Sequence, residues 1–269
     1  AGTGTVAVTS GAAVQVQGGI TVANALTLNG TGVATDGALR SISGANTWSG
    51  AITEGSDSRI NTDLNSLALT GGITNAGFLT TVGGSGNTAI NTTALGGTGG
   101  LTKDGSGTLT LGVANTYTGA TSITAGTVSV TNAAGINTSS ALTVNGGTLD
   151  INNVALNTLA SVNIQGTGAA GVGALTGTGA GAAYAGPITL DGATTIGGAG
   201  TLTLSGAITD GASTFALNKS GAGTLVLSSA NTYDGGTNVT AGVLNLQNAT
   251  AAGTGTVAVT SGAAVQVQG

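Results

Sequence analysis

Residues 54–63, EGSDSRINTD, hold the densest set of side chains able to do acid–base chemistry: Glu54, Asp57, Arg59 and Asp63. Paired carboxylates can act as general acid and general base on a glycosidic bond, or hold a divalent cation beside an arginine base. The competing reading is a solvated loop in which Arg59 pairs with a neighbouring carboxylate, because acids spread over ten residues are common outside active sites. Histidine and cysteine are absent, so Ser–His and Cys–His nucleophiles and thiolate metal sites are excluded. GGSGNTAIN at 83–91 approaches a calcium-roll nonapeptide but occurs once, with Thr88 where the carboxylate would stand. GGTGG at 96–100 lacks the Lys-Ser/Thr of a phosphate loop. Thr108/Thr110 and Thr201/Thr203 suit a hydroxyl face of the ice-binding kind, yet such pairs do not recur evenly and threonine is common in strands. The expectation is therefore a chain that is not an enzyme and has no catalytic residue, metal or cofactor, with a polysaccharide-active site at 54–63 as the remote alternative.

Composition narrows the elements that would position any site. Glycine supplies 52 of 269 residues and proline one, which is not the collagen pattern. The chain is 40% hydrophobic with a net charge of −5, whereas disordered chains combine low hydrophobicity with high net charge; a core is expected, and with aromatics at 2% it must be aliphatic. Four basic residues cannot neutralise a nucleic-acid backbone. No apolar run is long enough for a membrane-spanning helix, and six aromatics cannot girdle a membrane barrel. Absence of cysteine fits export in an unfolded state. With no initiator Met and no leader-like stretch, the chain reads as an interior piece of a precursor.

Repeats organise the rest. AGTGTVAVTSGAAVQVQG occurs at 1–18 and again at 252–269, which sets a period of 251 residues. Residues 101–136 and 217–252 share 18 of 36 positions without gaps. In these copies Lys103, Gly105, Gly107, Asn115 and Tyr117 correspond to Lys219, Gly221, Gly223, Asn231 and Tyr233. ANTWSGAI at 45–52 is a further echo, with Asn46 at the asparagine position and Trp48 at the tyrosine position, and SGAIT followed by an acid and glycine occurs at 49–55 and 205–211. The spacing of the echoes fits a coil of about 22–23 residues, hence about eleven coils per period. Runs such as TLTL, VQV and VLNL alternate with period two and end at Gly-Gly, Asn-Gly or Asp-Gly, the pattern of short strands between tight turns. The expected fold is all-β, a right-handed parallel β-helix running continuously through residues 1–269, with 252–269 beginning the next period. The asparagines are expected to bond corner backbone, the aromatics to pack, and Lys103 and Lys219 to point outward and blunt lateral association.

LTKDGSGTLTLGVANTYTGATSITAGTVSV (101–130) and LNKSGAGTLVLSSANTYDGGTNVTAGVLNL (217–246) resemble the autotransporter-associated β-strand repeat, also called the passenger-associated transport repeat, in their K-x-G-x-G-T-L, A-N-T-Y and A-G runs. The resemblance implies a passenger stalk, often of an adhesin, at the surface of a Gram-negative bacterium. It assigns no catalytic residue, and the family's translocating barrel has no counterpart in these residues. Two functional readings stand beside the enzyme. One is a structural segment whose partner is itself, joined end to end as the next period or the next subunit. The other is an adhesin module contacting cell-surface glycan or protein through loops near 54–66 or 165–187.

Overall fold

A strand of three to six residues with one apolar face cannot bury that face alone; stacked on copies of itself it can, each turn covering the next. The computed structural model describes residues 2–136, 141–157, 159 and 161–268. It is an all-β parallel β-solenoid of about twelve turns, the helical content among the described residues being two short 3-10 segments, Val33–Thr35 and Ala169–Gly171. The turns fall into two compact units, residues 1–140 and 141–269.

In the first unit three parallel faces run along the coil. The first stacks Val6, Leu26, Ile52, Ile73 and Leu95 in register. The second stacks Val14, Leu39, Ile60, Val82, Lys103 and Ile123. The third stacks Asn46, Leu67, Thr88, Leu109 and Val128. Register partners in these columns are 19 to 26 residues apart, from Leu109 with Val128 to Leu26 with Ile52, which brackets the coil length read from the echoes. Inward positions such as Leu28 and Leu109 are fully buried, while their sequence neighbours Thr27, Asn29, Thr108 and Thr110 are half-exposed, as strand alternation requires.

The second unit repeats the plan. Leu142, Val162, Ile188 and Ile208 form one face. Leu175, Ile196, Lys219, Val239 and Val259 form the next, and Tyr184, Leu204, Leu227, Leu246 and Val267 the third. A correspondence at an offset of 136 residues also emerges. Gly32, Ala34 and Gly37 hold φ of 84°, 51° and 109°, and Gly168, Ala170 and Gly173 hold 73°, 50° and 128°. Both segments close with the glycine amide bonded to the Thr31 or Thr167 carbonyl at 2.8 Å. In both units the strand leading into this turn meets a register skip in the strand stacked on it, from Leu28–Glu54 to Gly30–Ser58 and from Ile164–Leu190 to Gly166–Thr194.

Residues 2–17 and their copies 253–268 take the same local form. Val6–Ala7 and Val14–Gln17 are strands, as are Val257–Val259 and Ala264–Val267. Gly11 and Gly262 turn with φ of 83° and 89°, and the turns close with Ala12 N to Thr9 O and Ala263 N to Thr260 O, each at 3.0 Å.

Candidate functional site

The residues that carry the repeat motif build corners. Lys103 and Lys219 stand where the stack calls for an aliphatic side chain, between Val82 and Ile123 and between Ile196 and Val239. Each is 2% exposed, so the outward placement expected from sequence is wrong. The four-carbon stem fills the core column and the ammonium reaches the corner. Lys103 Nζ donates to Gly105 O. Lys219 Nζ donates to Ser220 O at 2.7 Å, Gly221 O at 2.9 Å and Ala241 O at 3.0 Å, which matches three donors with three acceptors. Burial pulls both lysines down to about 8; the carbonyl oxygens favour the charged form.

The glycines beside them follow from close approach. Gly126 has φ of 63°, and a Cβ there would lie 2.2 Å from Gly105 O, 2.4 Å from Gly107 O and 2.8 Å from Lys103 Nζ. Gly242, φ 67°, would meet Gly223 O and Gly221 O at 2.4 and 2.5 Å. The motif's K-x-G-x-G and the following A-G are therefore two layers of one corner, and in the second copy Lys219 bonds carbonyls of both.

Asn115 and Asn231 span three turns of chain. Asn115 Oδ1 accepts from Leu95 N at 2.8 Å and its Nδ2 donates to Gly135 O at 2.6 Å. Asn231 does the same with Ile208 N and Ala251 O. Tyr117 and Tyr233 are fully buried, their hydroxyls bonded to Thr121 and Thr237 Oγ1 at 2.8 and 2.6 Å. Burial pushes Tyr233 up to about 12, and Tyr184 likewise. Asn46 accepts from Gly19 N and Ile20 N at 3.0 Å and Trp48 is buried, but they do not occupy the Asn115–Tyr117 position. Trp48 pairs with Val22 and Leu69 on the third face, whereas Tyr117 pairs with Gly97 on the first. The same demand, a side-chain oxygen for corner amides, recurs at a different corner.

The acidic stretch is dispersed. Residues Ile52–Thr62 form a strand, so the expected loop at 54–66 is largely absent, and 165–187 is likewise taken up by a 3-10 turn and the strands Leu175–Thr178 and Ala182–Tyr184. Glu54 points into the core, with Thr80 Oγ1 donating to Oε2 at 3.0 Å and no partner on Oε1 among the described residues; burial pushes its carboxyl up to about 8. Asp57 is exposed and accepts from Leu79 N at 2.9 Å. It lines a surface hollow of about 500 Å³ with Ser10, Gly30, Thr31, Ser56 and Phe78, without Glu54 or Asp63. Arg59 bridges to Asp104, and Arg40 to Asp36 at 2.9 Å and Asp63 at 2.7 Å. The three carboxylates share no groove, and no group of three metal-ligating side chains gathers among the described residues. No helix of the described residues is long and apolar enough to cross a membrane.

One correspondence is not visible in the SGAIT echo. Glu54 has its structural counterpart in Leu190, not in the acid of the SGAIT echo, as the shared register skip shows. The signal was present in TGVATDGAL (31–39) and TGAAGVGAL (167–175), whose matched glycines mark the same turn.

Residues 101–130 and 217–246 match the family profile described as the passenger-associated-transport-repeat. No curated protein and no solved structure matches the chain. The two matched segments hold the two lysine–glycine corners and the two Asn–Tyr corners, one set in each unit.

Proposed function

We propose that this chain, a β-solenoid carrying two passenger-associated transport repeats, is a stalk segment of an autotransporter-type surface protein, extracellular and anchored to a Gram-negative cell. It works by extension and stiffness and catalyses nothing. Each turn bonds to its neighbours through backbone ladders and stacked aliphatic side chains, so resistance to unfolding is a sum over turns and their interfaces. Its partner is another copy of the same sequence, as the next period of a longer chain or the next subunit of a fibre.

The observation that carries this reading is the coincidence of the family match with the corners that hold the coil together. What the family repeat specifies here is a means of stacking turns. Protease treatment of intact cells, followed by detection of the segment, tests the placement. Loss of signal from intact cells is expected; protection until lysis would refute it. The mass of the native chain separates the two forms of continuation: far above 25 kDa for a tandem array, near 25 kDa for separate subunits.

A further inference from the structure

The two units fill one inner corner with different chemistry. Glu54 and Leu190 are counterparts, since they pair with Leu28 and Ile164 and precede the same register skip to Ser58 and Thr194. Those two hydroxyls make the same bonds. Ser58 Oγ donates to Leu28 O at 3.1 Å and Ser56 O at 2.8 Å, and Thr194 Oγ1 to Ile164 O at 3.1 Å and Gly192 O at 2.9 Å. Their partners on the next turn are Thr80 and Leu217, which are therefore counterparts too. Where the second unit buries Leu190 and Leu217, the first buries Glu54 and Thr80. The exchange is a matched one, because Thr80 Oγ1 donates to Glu54 Oε2 at 3.0 Å. It also leaves polar atoms over. Glu54 Oε1 has no partner among the described residues. Asn75, fully buried, follows Thr74 as Glu54 follows Thr53, and Thr53 and Thr74 are register partners, so the two side chains are neighbours in one inward column. Asn75 Oδ1 accepts from Gly99 N at 3.0 Å, while Nδ2 has no partner among the described residues. The corner is enclosed by the turn of Leu28 on one side and that of Leu95 and Gly96 on the other.

We propose that this corner is a binding site for one internal water molecule, held between Asn75 Nδ2, from which it accepts, and Glu54 Oε1. A buried polar atom left unbonded is costly, and here two such atoms of complementary kind face one column from adjacent turns. Internal waters settle where two to four buried polar groups lack protein partners. The donor set selects water over a cation, because an amide N–H offers a cation nothing to coordinate. Water also serves both protonation states of Glu54, donating to the carboxylate and accepting from the acid. So bound, it completes a polar path through three turns: Glu54 on the first, Asn75 and Thr80 on the second, Gly99 on the third. The second unit needs no such molecule at the position of Glu54, where Leu190 and Leu217 close the corner with apolar side chains. The site stands apart from the stalk reading, since it depends on the packing of this corner alone.

Oxygen-17 magnetic relaxation dispersion of the full chain in water tests this, because its amplitude counts long-lived internal waters and does not respond to labile protons. The double variant Glu54→Leu with Thr80→Leu gives the first unit the pair that the second unit uses. Its dispersion amplitude is expected to fall by one water relative to the unchanged chain, whereas Glu54→Gln, which keeps polar atoms facing Asn75, is expected to retain the full amplitude. Equal amplitudes in the unchanged chain and the leucine pair overturn the proposal. A crystal structure of the unchanged chain gives a second decision that does not depend on the leucine pair folding. The expected result is a solvent peak within hydrogen-bonding distance of both Glu54 Oε1 and Asn75 Nδ2. A direct bond between those two atoms, an empty corner, or a cation on Glu54 overturns the proposal.

Discussion

Buried ionisable side chains make the stability of this chain depend on pH. Glu54, raised to about 8 by burial, binds a proton in the folded state that the unfolded chain has lost, so stability falls as pH rises from about 4.5 to 8. Lys103 and Lys219, lowered to about 8, are deprotonated in the fold while still charged when unfolded, so stability rises from pH 8 toward 10.5. Buried Tyr184 and Tyr233, raised to about 12, oppose that rise above pH 10. The denaturation midpoint should therefore pass through a minimum near pH 8, read by urea titration at a series of pH values. Glu54→Gln should remove the acid limb and leave the alkaline limb; an unchanged acid limb would show that Glu54 titrates normally. Lys219→Met keeps the stem and orphans corner carbonyls, and is expected to lower stability by about 1–3 kcal/mol at neutral pH, measured by the same titration.

At the scale of a turn, the corner decides whether two rungs can approach. Gly126→Ala would place a methyl against the carbonyls of Gly105 and Gly107 at a positive φ, and backbone strain alone is worth about 1–3 kcal/mol. A fall in melting temperature is expected together with faster amide exchange at Thr127–Val130, the strand that follows; Gly4→Ala, with open space around its Cβ, is the matched control and should change neither. Asn115→Ala should also destabilise, by about 1–3 kcal/mol, because Leu95 N loses its acceptor. Asn115→Asp, which keeps an oxygen for that amide, should recover part of the loss. The 3-10 turns at 33–35 and 169–171 show the same economy. One local solution, Gly-x-Ala-x-x-Gly, serves both units, in each case just after the strand at which the register skip falls.

For the molecule as a whole, a stack of turns has no single centre, so protection should grade with the number of covered edges. In hydrogen exchange, the third-face strands of the first unit, such as Asn87–Ile90 with neighbours on both sides, should exchange slowly. Turn residues outside the ladders, such as Val33–Thr35, should exchange fastest. Equal protection of strand and turn would count against a stack held by its strand edges.

Much of this was legible in the sequence because a solenoid is built from local rules. Period-two alternation, glycine at turns and recurrence near 22 residues each follow from neighbours in the chain, and so the parallel stack, the corner asparagines and the packing of Tyr117 and Tyr233 could be read directly. The duplicated octadecamer likewise fixed its own conformation, since its turns are closed by its own residues. The tertiary structure decided what depends on the turn above or below. Lys103 reads as a surface residue because charge predicts exposure, yet stacking puts its stem under Ile123 and its ammonium on a glycine carbonyl. Trp48 and Tyr117 share a motif and not a face, and Glu54 belongs with Leu190 and not with Asp210, because register depends on how many residues each intervening turn consumes. Local sequence makes the shape of a turn, and which of its side chains are buried is settled by its neighbours in space.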